Sequence, residues 1–482
     1  MDKFQKIAVD AVENKRELIG NVADEIWSHP ELSLKEYNSC DVYCRTLEQE
    51  GFEVKKGISG IETAFSASFG SGHPVIAILA EYDALSGLSQ KAFCTEKMPR
   101  DNGDTESDCG HGCGHNLLGA GAFAAALGVK AYLSETGEKG TVILYGCPGE
   151  EGVASKAFFA RDGVWNGIDA AFSWHPDDCN EVAEGSSNAC IQTLYEFKGI
   201  SAHAGNSPDA GRSALDAVEL MNVGVQFLRE HMSDRARIHY AITDAGGMSP
   251  NVVQANSSVL YMVRSDKVKE ALKLQERVDK IAEGAALMTE TSFTKTFVDG
   301  LSETVPNHVL EKLLYKNFSE IGVPQYTKEE TEFAEKLSKT YNSSDKIPGC
   351  ASPFSSDYAK NAAKLRGNKS LNDFLLPLYG NDTFNPGSTD VGDVSWCTPT
   401  GQIHVAAWPN GCPGHTWQST TSAGGSIGRK SAVHAGKVLA ASAVELMRDA
   451  ELLKKAKEEF SERTESGYIC PVPEGAVAKA VV

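Results

Sequence analysis

The sequence predicts an α/β protein: a mostly parallel sheet covered by helices, interrupted by a smaller ferredoxin-like α+β domain. Three observations carry that prediction. Through the first half, helical periodicities alternate with short, wholly apolar strands, the pattern of a sheet buried on both faces. Between 191 and 299 the order becomes β-α-β-β-α-β, the split unit of a small α+β domain. Acidic residues and histidines also gather just after the apolar strands, and in such sheets ligands collect at the carboxyl ends of strands.

Taken in order, residues 3–28 read as one amphipathic helix stopped by His29-Pro30, because a residue before proline disfavours the helical region. A second helix covers 36–50, and strands follow near 62–69 (TAFSASFG) and 74–80 (PVIAILA). A helix at 116–135 leads to a strand at 141–146, a helix near 154–161 and a strand at 170–174. The smaller unit has strands at 191–198, 237–243, 256–264 and 291–298, with helices at 213–230 and 268–287. A strand at 402–408 and a helix at 427–447 complete the pattern. Residues 340–390, dense in Ser, Asn, Gly and Pro, read as long loops with short helices. A chain of 482 residues exceeds what one core usually serves. The expected division is therefore 1–190 and 300–482 as two parts of one larger domain, with 191–299 inserted as a lid or dimerisation domain.

A formal charge of −19 argues against nucleic acid or an anionic membrane as partner. The longest apolar run, 117–129, is short and rich in alanine and glycine, so a buried helix is expected rather than a membrane span. The amino terminus lacks an apolar signal core, and twelve scattered cysteines do not form a disulfide framework. Reduced thiols and a cytoplasmic location are the expectation.

Two motifs carry chemistry. Gly110-His111-Gly112-Cys113-Gly114-His115-Asn116 offers a thiol and imidazoles on a backbone that its glycines loosen. Gly149-Glu150-Glu151-Gly152 offers adjacent carboxylates after an apolar strand. Sulfur and nitrogen ligands beside paired acids suit a catalytic zinc or manganese site, one acid holding metal while the other moves protons. Each residue also has a plainer reading. Cys113 and His115 can form a redox thiol, a structural zinc knuckle or an unliganded core pair, and Glu150-Glu151 an ordinary solvated pair. His175 can be a satisfied histidine at a strand end, and nothing local supports His415. His203 reads as a loop histidine capping the helix at 213, near the basic Arg212. Arg264 fits either a carboxylate clamp or a surface ion pair.

Further phrases, in order, are AEYDALSGLSQ (80–90), GHGCGHNLLG (110–119), YGCPGEEG (145–152), SPDAGRSALDAV (207–218), AITDAGGMSPNVVQA (241–255), STDVGDVSW (388–396) and HTWQ (415–418). Over nearly the whole chain they resemble the two-metal amidohydrolase, aminoacylase and carboxypeptidase family, most closely the branch acting on p-aminobenzoyl-glutamate. The resemblance implies one or two divalent ions, zinc or manganese, held by Cys113, His115, Glu151, His175 and His415. It makes Glu150 the general base, Asp83 the carboxylate orienting a ligand, and His203 a lid residue reaching substrate, often in a neighbouring protomer. Asn251 and Arg264, with Arg212 nearby, are implied to hold substrate. Glu81 stands where the peptidase branches have a ligand histidine. The implied reaction is hydrolysis of p-aminobenzoyl-glutamate to p-aminobenzoate and glutamate, a step of folate catabolism. The alternatives are an amidase or dipeptidase for another N-acyl amino acid or dipeptide, or a weakly active member of a hetero-oligomeric hydrolase. The implied assembly is a homodimer or a hetero-oligomer with a related A-type subunit.

Overall fold

The computed structural model describes residues 1–100, 108–342, 356–380 and 382–480. Six strands come from the first part of the chain: β1 (Glu53–Lys56), β2 (Phe65–Ser71), β3 (Val75–Ala80), β4 (Gly140–Gly146), β5 (Ala170–Asp177) and β6 (Glu181–Val182). Four come from the middle, β7 (Ala189–Lys198), β8 (Arg237–Asp244), β9 (Asn256–Ser265) and β10 (Ser292–Leu301), and β11 (Thr400–Ala406) comes near the end. The large sheet has the order β1-β2-β4-β3-β5-β11-β6. Its centre, β4-β3-β5-β11, is parallel as the apolar strands predict. Its margins are antiparallel, through β1-β2-β4 on one side and β6 on the other. The marginal strands escape the sequence pattern because β1 is polar (EVKK) and β6 has only two residues.

The helices are α1 (Lys3–Asn14), α2 (Arg16–Ser28), α3 (Tyr37–Gln49), α4 (His115–Thr136), α5 (Ser155–Arg161), α6 (Ala214–Leu228) and α7 (Val268–Thr289). Then come α8 (His308–Ile321), α9 (Lys328–Leu337), α10 (Ser356–Arg366), α11 (Val391–Ser395), α12 (Trp417–Ala423), α13 (Ser426–Arg448) and α14 (Ala450–Arg463). The single helix expected over 3–28 is two: Lys15 leaves helical geometry (φ −102°, ψ 13°) and turns its ammonium to Glu50, 2.6 Å away. The loops expected over 340–390 do contain α10, although residues 343–355 and 381 fall outside the described residues.

Helix α4 positions the chemistry. It is apolar on every side because β3 and β5 lie beneath it while α1, α2 and α13 cover it. Small residues allow the approach: a Cβ on Gly128 would lie 2.7 Å from Ala440 Cβ, and one on Gly436 would lie 2.4 Å from Ala124 Cβ. By length and composition α4 resembles a membrane span, but its burial between sheet and helices accounts for that composition.

The second sheet is antiparallel, in the order β10-β7-β9-β8, with α6 and α7 packed on one face. That is the strand order of the ferredoxin-like unit expected from the sequence. A bulge interrupts the β10–β7 register between Phe297 and Asp299.

Candidate active site

Cys113 ends the loop that leads into α4, with Gly114 as N-cap and His115 as the first helical residue. The glycines do not loosen this loop as the sequence suggests; they let it pass close to another segment. A Cβ on Gly110 would fall 2.0 Å from the Leu88 carbonyl oxygen, and one on Gly112 would fall 2.3 Å from Leu88 Cδ1. The Gly112 carbonyl accepts the His415 N–H at 3.1 Å and the Ser419 hydroxyl at 2.7 Å, which brings the C-terminal HTWQ segment to the loop. His415 itself is left-handed (φ 56°), an uncommon conformation for a side chain of its size and one associated with functional sites.

Two groups share Cys113. The ligand atoms of Cys113, His115 and His175 lie within 4.8 Å of one another, as do those of Cys113, Glu151 and His415. Cys113 Sγ is 3.4 Å from His175 Nε2, and Glu151 Oε1 is 3.4 Å from His415 Nε2. Each buried imidazole has its second nitrogen occupied: His115 Nδ1 is 2.7 Å from Asp83 Oδ1, and His175 Nδ1 is 2.8 Å from the Pro176 carbonyl. That arrangement frees Nε2 of both rings for a ligand role. Among the described residues, buried His115 Nε2 and Glu151 Oε1 have no hydrogen-bond partner, as expected of atoms that could take a cation. The donors therefore fit one or two divalent ions. Asp177, Cys179 and His404 form a neighbouring group, but His404 Nδ1 is already engaged with Glu181 Oε1 at 2.9 Å.

Charge is concentrated behind these ligands. Asp83 accepts from His115, from Ser33 Oγ at 2.9 Å and from the Glu151 amide at 3.0 Å. Burial, then the charges of Glu81, Glu151 and Asp390, push the Glu150 carboxyl well above the usual range. Burial, then His115, lowers His175 to about 4, leaving it neutral as a ligand must be. Burial likewise raises the Cys113 thiol, so metal binding would displace its proton.

Cys113, Glu150, Glu151, His175 and His415 line a cavity of about 330 Å³ whose opposite wall includes Arg264 from β9. Arg264 is no surface ion pair: its Nη1 donates to Ser388 Oγ at 2.9 Å. His203, Asn251 and Arg212 are not in this cavity. His203 Nδ1 accepts from the Gly205 and Asn206 amides in an exposed turn, and the α6 cap is Ser213, so His203 does not cap that helix. Asn251 lies beside it, its carbonyl accepting the Ala204 N–H at 2.9 Å. Arg212 pairs with Glu290 at 2.8 Å.

Sequence reasoning missed a buried triad. Lys156 Nζ, fully buried, lies 2.6 Å from Glu81 Oε1 and 2.5 Å from Asp390 Oδ1. Burial opposes its charge, but Asp390 and Glu81 outweigh it and raise the ammonium pKa well above the ordinary value. Glu81 is thus an ion-pair partner through one oxygen, its other oxygen 3.3 Å from His115 Nε2. Glu36 was also missed: it accepts the Gly149 N–H at 2.8 Å and so anchors the turn carrying Glu150. A lysine within the otherwise buried SKAFFA segment was the only available signal.

No family model matches the chain. It is 43% identical over 477 residues to the B-type subunit of p-aminobenzoyl-glutamate hydrolase from Escherichia coli, covering 98% of each chain. It is 25% identical to the Xaa-Arg dipeptidase of Mus musculus, over 95% of this chain and 93% of that one. Among solved structures it resembles a dinuclear metal-binding M20-family peptidase from Bacillus subtilis, with a TM-score of 0.54 at 18% identity, covering 90% and 99% of the two chains. A likeness at that identity speaks for the fold.

Proposed function

The chain belongs to the p-aminobenzoyl-glutamate hydrolase family, a family of metal-dependent hydrolases, and from that premise we propose that it cleaves the amide of p-aminobenzoyl-glutamate. The products are p-aminobenzoate and glutamate, as in folate catabolism. One observation carries the reading: Glu150 stands among four candidate ligands in the same cavity as Arg264, a guanidinium that forms no ion pair among the described residues.

Cys113, His115, Glu151, His175 and His415 would hold one or two ions, zinc or manganese. Bound there, a divalent cation supplies Lewis acidity toward the amide carbonyl and lowers the pKa of a water. Glu150 accepts that water's proton and delivers it to the departing amine nitrogen, a role suited to a buried carboxyl with a raised pKa. Asp83 fixes the tautomer and aim of His115. Arg264 grips a carboxylate of the leaving amino acid.

His203 and Asn251 complete the site from a second protomer, where His203 donates to the oxyanion that forms on the carbonyl. Their exposure in one paired loop outside this chain's own cavity supports that reading. So do Phe227 on α6 and Leu287 on α7, 74% and 82% exposed on the small domain. The second protomer is another copy or a related A-type subunit, since the Escherichia coli relative is itself one of two subunit types. The reaction is assigned to the cytoplasm on the reduced state expected of the cysteines.

Glutamate release from p-aminobenzoyl-glutamate by the purified chain, stripped with chelator and then reloaded with zinc or manganese, tests the reading. Metal-restored release is expected. Absence of release from a fully loaded protein, alone and with an A-type subunit, would refute it, and hydrolysis of dipeptides instead would move the assignment to the dipeptidase branch.

A further inference from the structure

Across the cavity from the metal ligands, the small sheet contributes a carboxyl group that the mechanism does not use. Asp299 is 3% exposed and lines the cavity together with Arg264 and Gln192. It follows directly on the bulge in β10, opposite Gln192 of β7, and a bulge re-aims the side chain beside it. Gln192 Nε2 donates to Asp299 Oδ2 at 2.9 Å, while Asp299 Oδ1 is buried with no hydrogen-bond partner among the described residues. Arg264 spends Nη1 on Ser388 and directs Nε at Met262 Sδ, and no ion pair joins it to Asp299 among the described residues. A buried unpaired oxygen is costly, so an occupant that completes it is favoured.

We propose that Asp299, held by Gln192 beside Arg264, forms a subsite for a second carboxylate, the side-chain carboxylate of the leaving amino acid, with Asp299 Oδ1 as a hydrogen-bond donor to it. This rests on the reaction proposed above, in which an acidic amino acid leaves. Donation requires the neutral acid. Burial, then the charge of Asp390, raises the Asp299 carboxyl to about 7, against the opposing effects of Arg264 and the Gln192 hydrogen bond. Cys190 of β7 is the other titratable group beside it, and burial keeps that thiol in its neutral form. Below about pH 7 Asp299 therefore donates to a carboxylate, and above it the ionised group repels one.

The test compares p-aminobenzoyl-glutamate with p-aminobenzoyl-norvaline, which lacks the side-chain carboxylate, so titrations common to both substrates cancel in the ratio of kcat/KM. In the wild type the glutamate-to-norvaline ratio should fall about tenfold per pH unit above pH 7. In Asp299→Asn, whose amide donates at every pH, the ratio should be level from about pH 6 to 8.5. A pH-dependent ratio that Asp299→Asn leaves unaltered would overturn the subsite. The p-aminobenzoyl-ornithine amide needs no variant: preference for it over norvaline by the wild type would make Asp299 an ionised acceptor and overturn the donor role. Failure of the metal-loaded wild type to turn over any of the three amides would instead overturn the parent reading, and the subsite with it.

Discussion

At the junction of β5 and α4 the candidate catalytic side chains are held by one another. Asp83 fixes His115, the Pro176 carbonyl fixes His175, Glu36 fixes the turn before Glu150, and Lys156 ties Glu81 to Asp390. In the small-domain loop over 201–212, the His203 ring accepts from two amides of its own turn and stands in solvent, and Asn251 beside it is exposed as well. Both regions carry residues implied to act on one substrate. One has the geometry that preorganised catalysis needs, while the other, under the function proposed above, acts in a second protomer.

The largest effect should come from the strand-end site. Glu150→Gln is expected to lower kcat about a thousandfold, in the range of general acid–base catalysis. Metal content by elemental analysis should not change, and loss of metal would place Glu150 among the ligands instead. Lys156→Met leaves Glu81 and Asp390 as uncompensated buried charges, and breaking a buried pair typically costs about 3–5 kcal/mol. Denaturant unfolding of the metal-free protein measures it; a loss under about 1 kcal/mol, the scale of solvated pairs, would show that water reaches the triad.

The loop should respond in the opposite way. His203→Ala is expected to lower kcat about a hundredfold, as for loss of an oxyanion donor, without moving the unfolding midpoint. Mixing it with Glu150→Gln then discriminates further. In a homodimer with exchanged His203, refolded mixtures recover about a quarter of wild-type activity, because half the dimers are mixed and each has one intact site. No recovery would mean that His203 serves its own chain and that the loop swings inward.

The same contrast explains what was legible in the sequence. Cys113 and His115 are two residues apart, Glu150 and Glu151 adjacent, and Asp83 and His175 fall after apolar strands, so local pattern brought these candidates out, while their roles came with the family resemblance. His415 depended on the family resemblance, since its tie to Gly112 spans the chain. Lys156 was hidden because Asp390 lies 234 residues away, and a lysine on a short helix reads as solvated. Asp299 was hidden differently: its strand pattern is ordinary, and only the bulge, a feature without a residue signature, turns it into the cavity. The break at Lys15 and the polar strand β1 escaped because both are decided by tertiary packing.

The close passage of Gly110 and Gly112 over Leu88 has a further consequence for how such chains diverge. These glycines answer to the loop's neighbours, whereas Cys113 and His115 answer to the proposed reaction. A descendant that exchanged its ligands for inert side chains would keep its loop, whereas one that exchanged the glycines would have to move its backbone. A related chain that replaced Gly110 or Gly112 should therefore show a displaced loop, whereas one that replaced only Cys113 or His115 should keep the loop and lose the proposed chemistry.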